Sequence, residues 1–366
     1  MPQRILIIAQ VIFPNLCPRS NRATELAKEL ARQGNDVSLA AVLGEYDYSQ
    51  FQLGTGISVY DLGMSCFEWG NSDAKRKSLP LWKKGIIFLF RRVIAFPEIL
   101  IGFRVVRFLK KCGHYDRMIT VASPYPIHWG ATYAKKHFAF LKDTIWASDC
   151  GDPFMGNAFF RPPFYFKWVE KWWCRATDFI VVPTELAISG YYPEFHDKIR
   201  VIPQGFEFKD GIVADYQKNV VPTFAYSGMV YPGRRDPRQF LDYLVNRGGD
   251  FRFIVYTKKP DLFIPYVKYL AGKLVIRDYV PHDQLITDLS RMDFLINIRN
   301  ESNNQLPSKL IDYYLAGRPI LEITSGFVEE AVFEDFCRAD YKLRLIISHP
   351  ERFDIKNVAK SFIELQ

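Results

Sequence analysis

The sequence predicts an α/β protein made of two doubly wound halves. Three observations carry this prediction. Short apolar runs alternate with segments of helical spacing from the start of the chain. The alternation breaks at a polar, aperiodic stretch, "PQGFEFKDGIVADYQKNVVP" (203–222), and restarts beyond it. A chain of 366 residues, 48% of them apolar, has the length and material for two such cores. Strand–helix–strand alternation implies parallel sheets, because parallel neighbours need a crossover and a helix supplies it.

Taken in order, the first strand is the run Ile5–Ala9, and a proline-containing loop (Phe13–Ser20) follows it. "NRATELAKELARQGNDVSLAAVL" then places Ala23, Leu26, Ala27 and Leu30 at helical spacing, stops at Gly34 and enters the strand "DVSLAAV". Further strands are predicted at Arg117–Ala122, Thr144–Ser148, Phe179–Val182 and Ile199–Ile202. The second half reads "TFAYSGM" strand, "DPRQFLDYLVNR" helix, "FRFIVYT" and "KLVIRDYV" strands, "HDQLITDLSRM" helix, "DFLINI" strand and "RPILEIT" strand. The expected domains are 1–205 and 223–348, joined by a linker at 206–222. Ligands of such sheets bind at the carboxyl ends of the strands, here expected in a cleft between the halves.

Composition narrows the partners. With 48 Lys and Arg against 40 Asp and Glu, the net charge of +8 fits anionic partners such as nucleotides, nucleic acid or an acidic membrane surface. Six cysteines, at 17, 66, 112, 150, 174 and 337, form no CxxC pair, and a reduced cytoplasm is the simplest compartment. "MPQRILIIAQVIF" reads as a buried strand rather than a signal peptide, and no uncharged stretch reaches 18 residues, so no spanning helix is expected. Residues 74–111 break the alternation, with eleven Lys or Arg against Glu98, interleaved with Trp, Phe, Ile and Leu. Apolar runs too short to cross a bilayer, flanked by cations, predict peripheral, salt-sensitive binding to an anionic membrane surface. The alternative is a pair of helices with the apolar side on the first domain and the basic side in water. No nucleic-acid motif accompanies the basic stretch, so nucleic acid is not an expected partner.

Candidate site residues fall in three places. In "SNNQLPSKLIDYYLAGRPIL" (302–321) a polar loop with Asn304 and Gln305 runs into a short helix that ends at Gly317. Ser308 and Lys309 stand at its start, where N–H groups and the dipole attract anions, and Asp312 lies one turn on, where an acid accepts sugar or ribose hydroxyls. The alternative is a capped amphipathic helix with a solvated lysine. In "YSGMVYPGRRDP" (226–237) a strand ends at Gly228 and a loop delivers Arg234 and Arg235, whose planar forks suit a diphosphate. In "WASDCGDP" Asp149 and Asp152 stand at a strand's carboxyl end, where they could hydrogen-bond a substrate hydroxyl or take its proton, or else shape the turn before Pro153. His128 precedes a helical run and is a third catalytic candidate. The other histidines show no metal spacing, no Asp-x-Asp is present, and no metal or cofactor is expected.

The order of these stretches carries a resemblance. The glycine-rich loop with basic residues, then "VIRDYVPHDQLITDLSRMDFLINI", then "QLPSKLIDYYLAGRPIL" resembles the donor half of GT-B glycosyltransferases, specifically family 4. "ILIIAQVIFP…SNRATELAKELARQGNDVSL" resembles that family's opening, and "ATDFIVVPTELAISGYY…KIRVIPQGF" the stretch ending in its IPNG turn. "TVASPYPIHWGATYAKK" followed by "IWASDCGDP" resembles the segment that ends in an Asp-x-x-Asp-Pro loop in one bacterial subgroup. The resemblance implies two Rossmann-like domains facing across a cleft, with a C-terminal helix in 349–366 returning to the first. It also implies retaining, metal-independent transfer from a UDP- or GDP-linked sugar to a glycan or lipid-linked saccharide, in bacterial surface polysaccharide or glycoconjugate assembly. Ser308 and Lys309 would face the diphosphate, and the base and ribose would lie near Tyr279, Val280 and Asp312. The family's acid–seven residues–acid pattern falls on Asn304 and Asp312, so an amide replaces the first acid. Three rivals are a sugar-nucleotide 2-epimerase of the same architecture, a nucleic-acid binder, and a dinucleotide dehydrogenase, the last weakened by the lack of GxGxxG after the first strand.

Overall fold

A computed structural model describes residues 2–15, 17–63, 89–90, 93–157, 162–208, 211, 213–233, 235–278, 280–299 and 309–366. The chain divides into two compact units, Met1–Phe206 with Arg352–Gln366, and Glu207–Glu351.

The first unit runs β1 (Arg4–Ile8), α1 (Pro18–Arg32), β2 (Asp36–Ala41), α2 (Ser49–Thr55), β3 (Ser58–Asp61), α3 (Ile99–Leu109), β4 (Arg117–Ala122), α4 (Pro126–His137), β5 (Ile145–Cys150), α5 (Phe166–Ala176), β6 (Phe179–Val182) and β7 (Ile199–Val201). Its strands form one parallel sheet in the order β3-β2-β1-β4-β5-β6-β7. From Ile5 on, β1 is continuously apolar rather than alternating because both of its faces are covered. Ile5 and Ile7 pack with Ala23, Leu26 and Leu30 of α1, whereas Leu6 and Ile8 pack with Ile101 and Val105 of α3 and Ile127 of α4. After the second unit the chain re-enters the first. Phe206 exchanges backbone hydrogen bonds with Phe353 and Ile355, and α11 (Ile355–Ile363) buries Ile355, Val358 and Phe362 in the core beside α1.

The second unit runs β8 (Thr223–Ser227), α6 (Arg238–Arg247), β9 (Arg252–Tyr256), α7 (Ile264–Val267), β10 (Leu274–Arg277), α8 (His282–Ser290), β11 (Phe294–Ile298), α9 (Lys309–Leu315), β12 (Ile320–Ile323) and α10 (Glu330–Cys337). The sheet is again parallel, in the order β10-β9-β8-β11-β12. Phe224 of β8 stacks on Phe253 and Phe294 at 5.0 and 4.9 Å. The strand order reverses between β8 and β11, so the crevice above their carboxyl ends is the unit's natural binding position.

Three stretches add to the sequence expectation. The described part of the expected linker packs on the second unit: the Tyr216 hydroxyl and the Asn219 N–H bond Asp293, and the Ala214 N–H bonds Ser290. β5 extends to Cys150, two residues beyond the predicted Ser148, which puts Asp149 inside the sheet, level with Val121 and Val181. Much of 74–111 lies outside the described residues. Of the rest, α3 buries Ile101, Val105 and Leu109 in the core, which is the alternative reading for that part. Among the described residues no helix is long and apolar enough to cross a membrane.

Candidate functional site

In the second unit the site starts where β8 ends. Gly228 follows Ser227 with φ of 128°, a conformation that a side chain would strain, and its N–H bonds the Tyr256 carbonyl at 3.0 Å. A Cβ there would touch the Lys309 chain at 3.6 Å. Lys309 enters from α9 and is only 6% exposed. Its ammonium has no hydrogen-bond partner among the described residues and sits 4.4 Å from the centre of the Tyr226 ring. Cation–π attraction offsets part of the desolvation, but a buried ammonium ordinarily needs an anion. Burial, and then the Arg235 guanidinium, hold its pKa well below 10.5, while Glu322 on β12 pulls the other way. Arg235 also hydrogen-bonds the Tyr226 hydroxyl. Two cations therefore converge on one point, with one half-exposed carboxylate near them.

Tyr313 holds this geometry in place. Buried in α9, its hydroxyl receives the Ser227 N–H at 2.7 Å and donates to the Ile296 carbonyl at 3.1 Å. One side chain thus ties the helix bearing Lys309 to the end of β8 and the middle of β11. Asp312, one turn along from Lys309, is 15% exposed and lies 2.8 Å from Nε2 of His282, the first residue of α8. Val280 is half-buried against the core formed by α8 and α9. Arg234, Tyr279, Asn304, Gln305 and Ser308 lie outside the described residues.

The first-unit candidates are not brought together. Asp149 is buried and paired bidentately with Arg22, Nε to Oδ2 at 2.8 Å and Nη2 to Oδ1 at 3.1 Å. Arg22 also donates to the carbonyls of Ile202 and Pro203 and lies over the Phe362 ring. The pair therefore ties together α1, β5, the chain after β7 and α11. His128, the third catalytic candidate, takes the structural role common for a lone histidine, because it is fully buried. It is on the buried face of α4 with Ile127, Ala131 and Ala134. Nδ1 meets Thr120 Oγ1 at 2.8 Å and Nε2 meets Cys150 Sγ at 3.3 Å. Burial pushes its pKa down to about 3, against the opposing pull of Asp149, so the ring stays neutral. Asp152 is exposed at the turn, where its carbonyl accepts the Tyr125 hydroxyl. Among the described residues no group of three His, Cys, Asp or Glu is arranged to hold a metal ion.

Sequence reasoning missed Arg22, Tyr226, His282, Tyr313 and Glu322. Only Arg22 carried a signal, because it is four residues before Leu26 and so shares the buried face of α1. The rest act through contacts between elements distant in sequence.

Behind the Asp149–Asp152 turn lies a buried acid, Glu170 of α5. One oxygen accepts the Met155 N–H at 3.1 Å, and the other has no partner among the described residues. Burial raises its pKa to about 7 despite the lowering effect of the Met155 and Phe154 N–H groups. The folded state therefore holds this proton more tightly than the unfolded state, whose ordinary value is 4.5. Stability from this group is full below the unfolded value, falls as pH rises towards the folded value, and is flat above it. Glu170→Gln is expected to be more stable than the parent at pH 8, by at most about 3 kcal/mol, and to match it near pH 4.5. Urea unfolding of both proteins at the two pH values checks this. A difference that does not change with pH would rule it out.

Solved structures share the fold. A glycosyltransferase from Rickettsia africae ESF-5 matches with a TM-score of 0.64 at 12% identity, over 99% of this chain and 97% of that one. Anabaena Alr3699/HepE in complex with UDP and glucose matches at 0.60 and 9% identity, over 99% and 98%. UDP-GlcNAc 2-epimerase from Neisseria meningitidis, bound to UDP-GlcNAc, matches at 0.52 and 13% identity, over 99% and 98%. No protein-family model matches the sequence, and no curated protein does. At these identities the likeness establishes the fold, two Rossmann-like domains of the GT-B type.

Proposed function

We propose that this GT-B protein is a glycosyltransferase that takes a sugar from a nucleotide-sugar donor. The observation that carries the reading is Lys309, a buried ammonium with no hydrogen-bond partner among the described residues, set beside Arg235 at the switch point of the second sheet. A nucleoside diphosphate is the ligand such a point suits, since two charge-assisted bonds would neutralise both cations. When the glycosidic bond to the diphosphate breaks, negative charge grows on the leaving oxygen. Lys309, already desolvated, and Arg235 beside it would stabilise that charge with little reorganisation, which is where catalytic electrostatics have most effect. Asp312, at the next turn, would accept hydroxyl hydrogen bonds from the donor.

The finer reading is a retaining, family 4-like enzyme that needs no metal, because the two cations take the place of one. In this reading the first unit binds the acceptor, with Asp152 at the carboxyl end of β5 as the reachable acid. The acceptor is a glycan or lipid-linked saccharide of bacterial surface polysaccharide assembly, met at the inner face of the membrane. Exposed Leu89, Phe90, Val93, Ile94, Phe164 and Trp168 favour the membrane part, with Lys167 4.8 Å over the Trp168 ring. Basic and aromatic groups together suit an anionic interface. In co-sedimentation, anionic vesicles should retain the protein better than neutral ones, and Phe164→Ser with Trp168→Ser should weaken retention. Equal binding to both vesicle types would remove the membrane reading.

The test of the activity is a thermal-shift panel of UDP-, GDP- and other nucleotide sugars. A donor at 100 times its Kd should stabilise by about 2.7 kcal/mol. A panel without any shift would overturn the donor site. Product analysis with acceptor omitted separates transfer from the epimerase reading, which alone yields an isomerised sugar.

A further inference from the structure

We infer that His282 is the positioning residue for Asp312, and that it orients this carboxylate to grip the ribose hydroxyls of the donor. The inference rests on the donor reading above. Lys309 and Asp312 stand three residues apart on α9 and so share a face, with about 4.5 Å of helix rise between them. If the cation takes the diphosphate, the next group along a nucleoside diphosphate is the sugar of the nucleoside. A carboxylate at that distance repels phosphate but accepts hydroxyl protons.

Held only by its own helix, an aspartate at 15% exposure would sample several rotamers. His282 removes that freedom, with Nε2 2.8 Å from Oδ1. Oδ2 has no hydrogen-bond partner among the described residues, so one acceptor of fixed direction is left for a ligand. The histidine is itself anchored as the first residue of α8, directly after Val280 and Pro281, and Asp283 lies 3.9 Å from its other nitrogen. A group from one helix thus sets the side chain of another, and at 44% exposure His282 contributes little to the core.

The experiment measures binding of UDP and GDP, and of their 2′,3′-dideoxy counterparts, to the parent protein, His282→Leu and His282→Gln by titration calorimetry. For the ribonucleotide that binds, His282→Leu should weaken binding about five- to tenfold, as expected for loss of one oriented bond to a charged acceptor. It should leave the dideoxy affinity within about twofold, because the hydroxyl contact is already gone. His282→Gln, which keeps an amide donor at similar reach, should recover most of the loss. Equal losses for ribo and dideoxy ligands, or unchanged binding by His282→Leu, would overturn the inference and leave the donor site standing. A parent protein that binds neither UDP nor GDP would overturn the UDP- or GDP-linked donor, and this inference with it.

Discussion

Lys309→Met is expected to make the unliganded protein more stable and to remove its nucleoside diphosphate binding. Methionine fills a similar volume beside Tyr226 and carries no charge to desolvate. Replacing an uncompensated buried charge with an apolar group of its own shape should gain about 1–3 kcal/mol. Removing a buried cation from a ligand anion should cost at least about thirtyfold in affinity. The pH dependence has a definite sign. The pKa of Lys309 in the folded state lies well below 10.5, so between those two values the unfolded state binds more protons. Stability then rises with pH through that window, and Lys309→Met abolishes the rise. An anion bound at the ammonium reverses the shift, so ligand binding takes up a proton and weakens as pH rises through the same window. Thermal unfolding with and without ligand, across pH, tests all three points. A Met variant that binds ligand as well as the parent, or is less stable without it, would refute the assignment of Lys309.

Asp149→Asn should destabilise the protein by about 3–5 kcal/mol, because it strands the buried Arg22 guanidinium without a counter-charge. The double variant Arg22→Met with Asp149→Leu should recover much of that loss, since replacing a whole buried pair is often close to neutral. Turnover per folded molecule should change little in either variant if the carboxylate is a tie between elements. Denaturant unfolding beside initial rates at low temperature separates the possibilities. Asp149→Asn with full stability and strongly reduced turnover would restore Asp149 as a base. Asp152→Asn is the companion measurement, and its effect should fall on turnover while stability stays within about 0.5 kcal/mol, as for other exposed substitutions.

The reach of the sequence is clearest where local pattern and burial coincide. Arg117–Ala122 and Phe179–Val182 are strands with the bounds read from the sequence, because an apolar run between turns is both the local and the global optimum in a parallel sheet. The helix before Gly317 was legible for a similar reason, since that glycine adopts φ of 65° and ends it. The sequence also put Gly228, Lys309 and Asp312 in one candidate site, because strand ends and the loops after them can be found by counting along the chain. What the sequence could not show is which way a polar side chain points, or what it meets. Asp149 and Asp152 look alike in "WASDCGDP", yet one is sealed against Arg22, 127 positions away, and the other is exposed. His128 looks like a catalytic histidine and is a core residue, because the helical phase of α4 turns it inwards. His282 shows no signal at all, since its partner is 30 residues away on another helix. Burial and pairing of polar groups are set by contacts between elements brought together only on folding. A charge inside the protein stays paired, shifts its pKa or waits for a ligand according to those contacts, and for that reason the tertiary structure alone decided the roles of these residues.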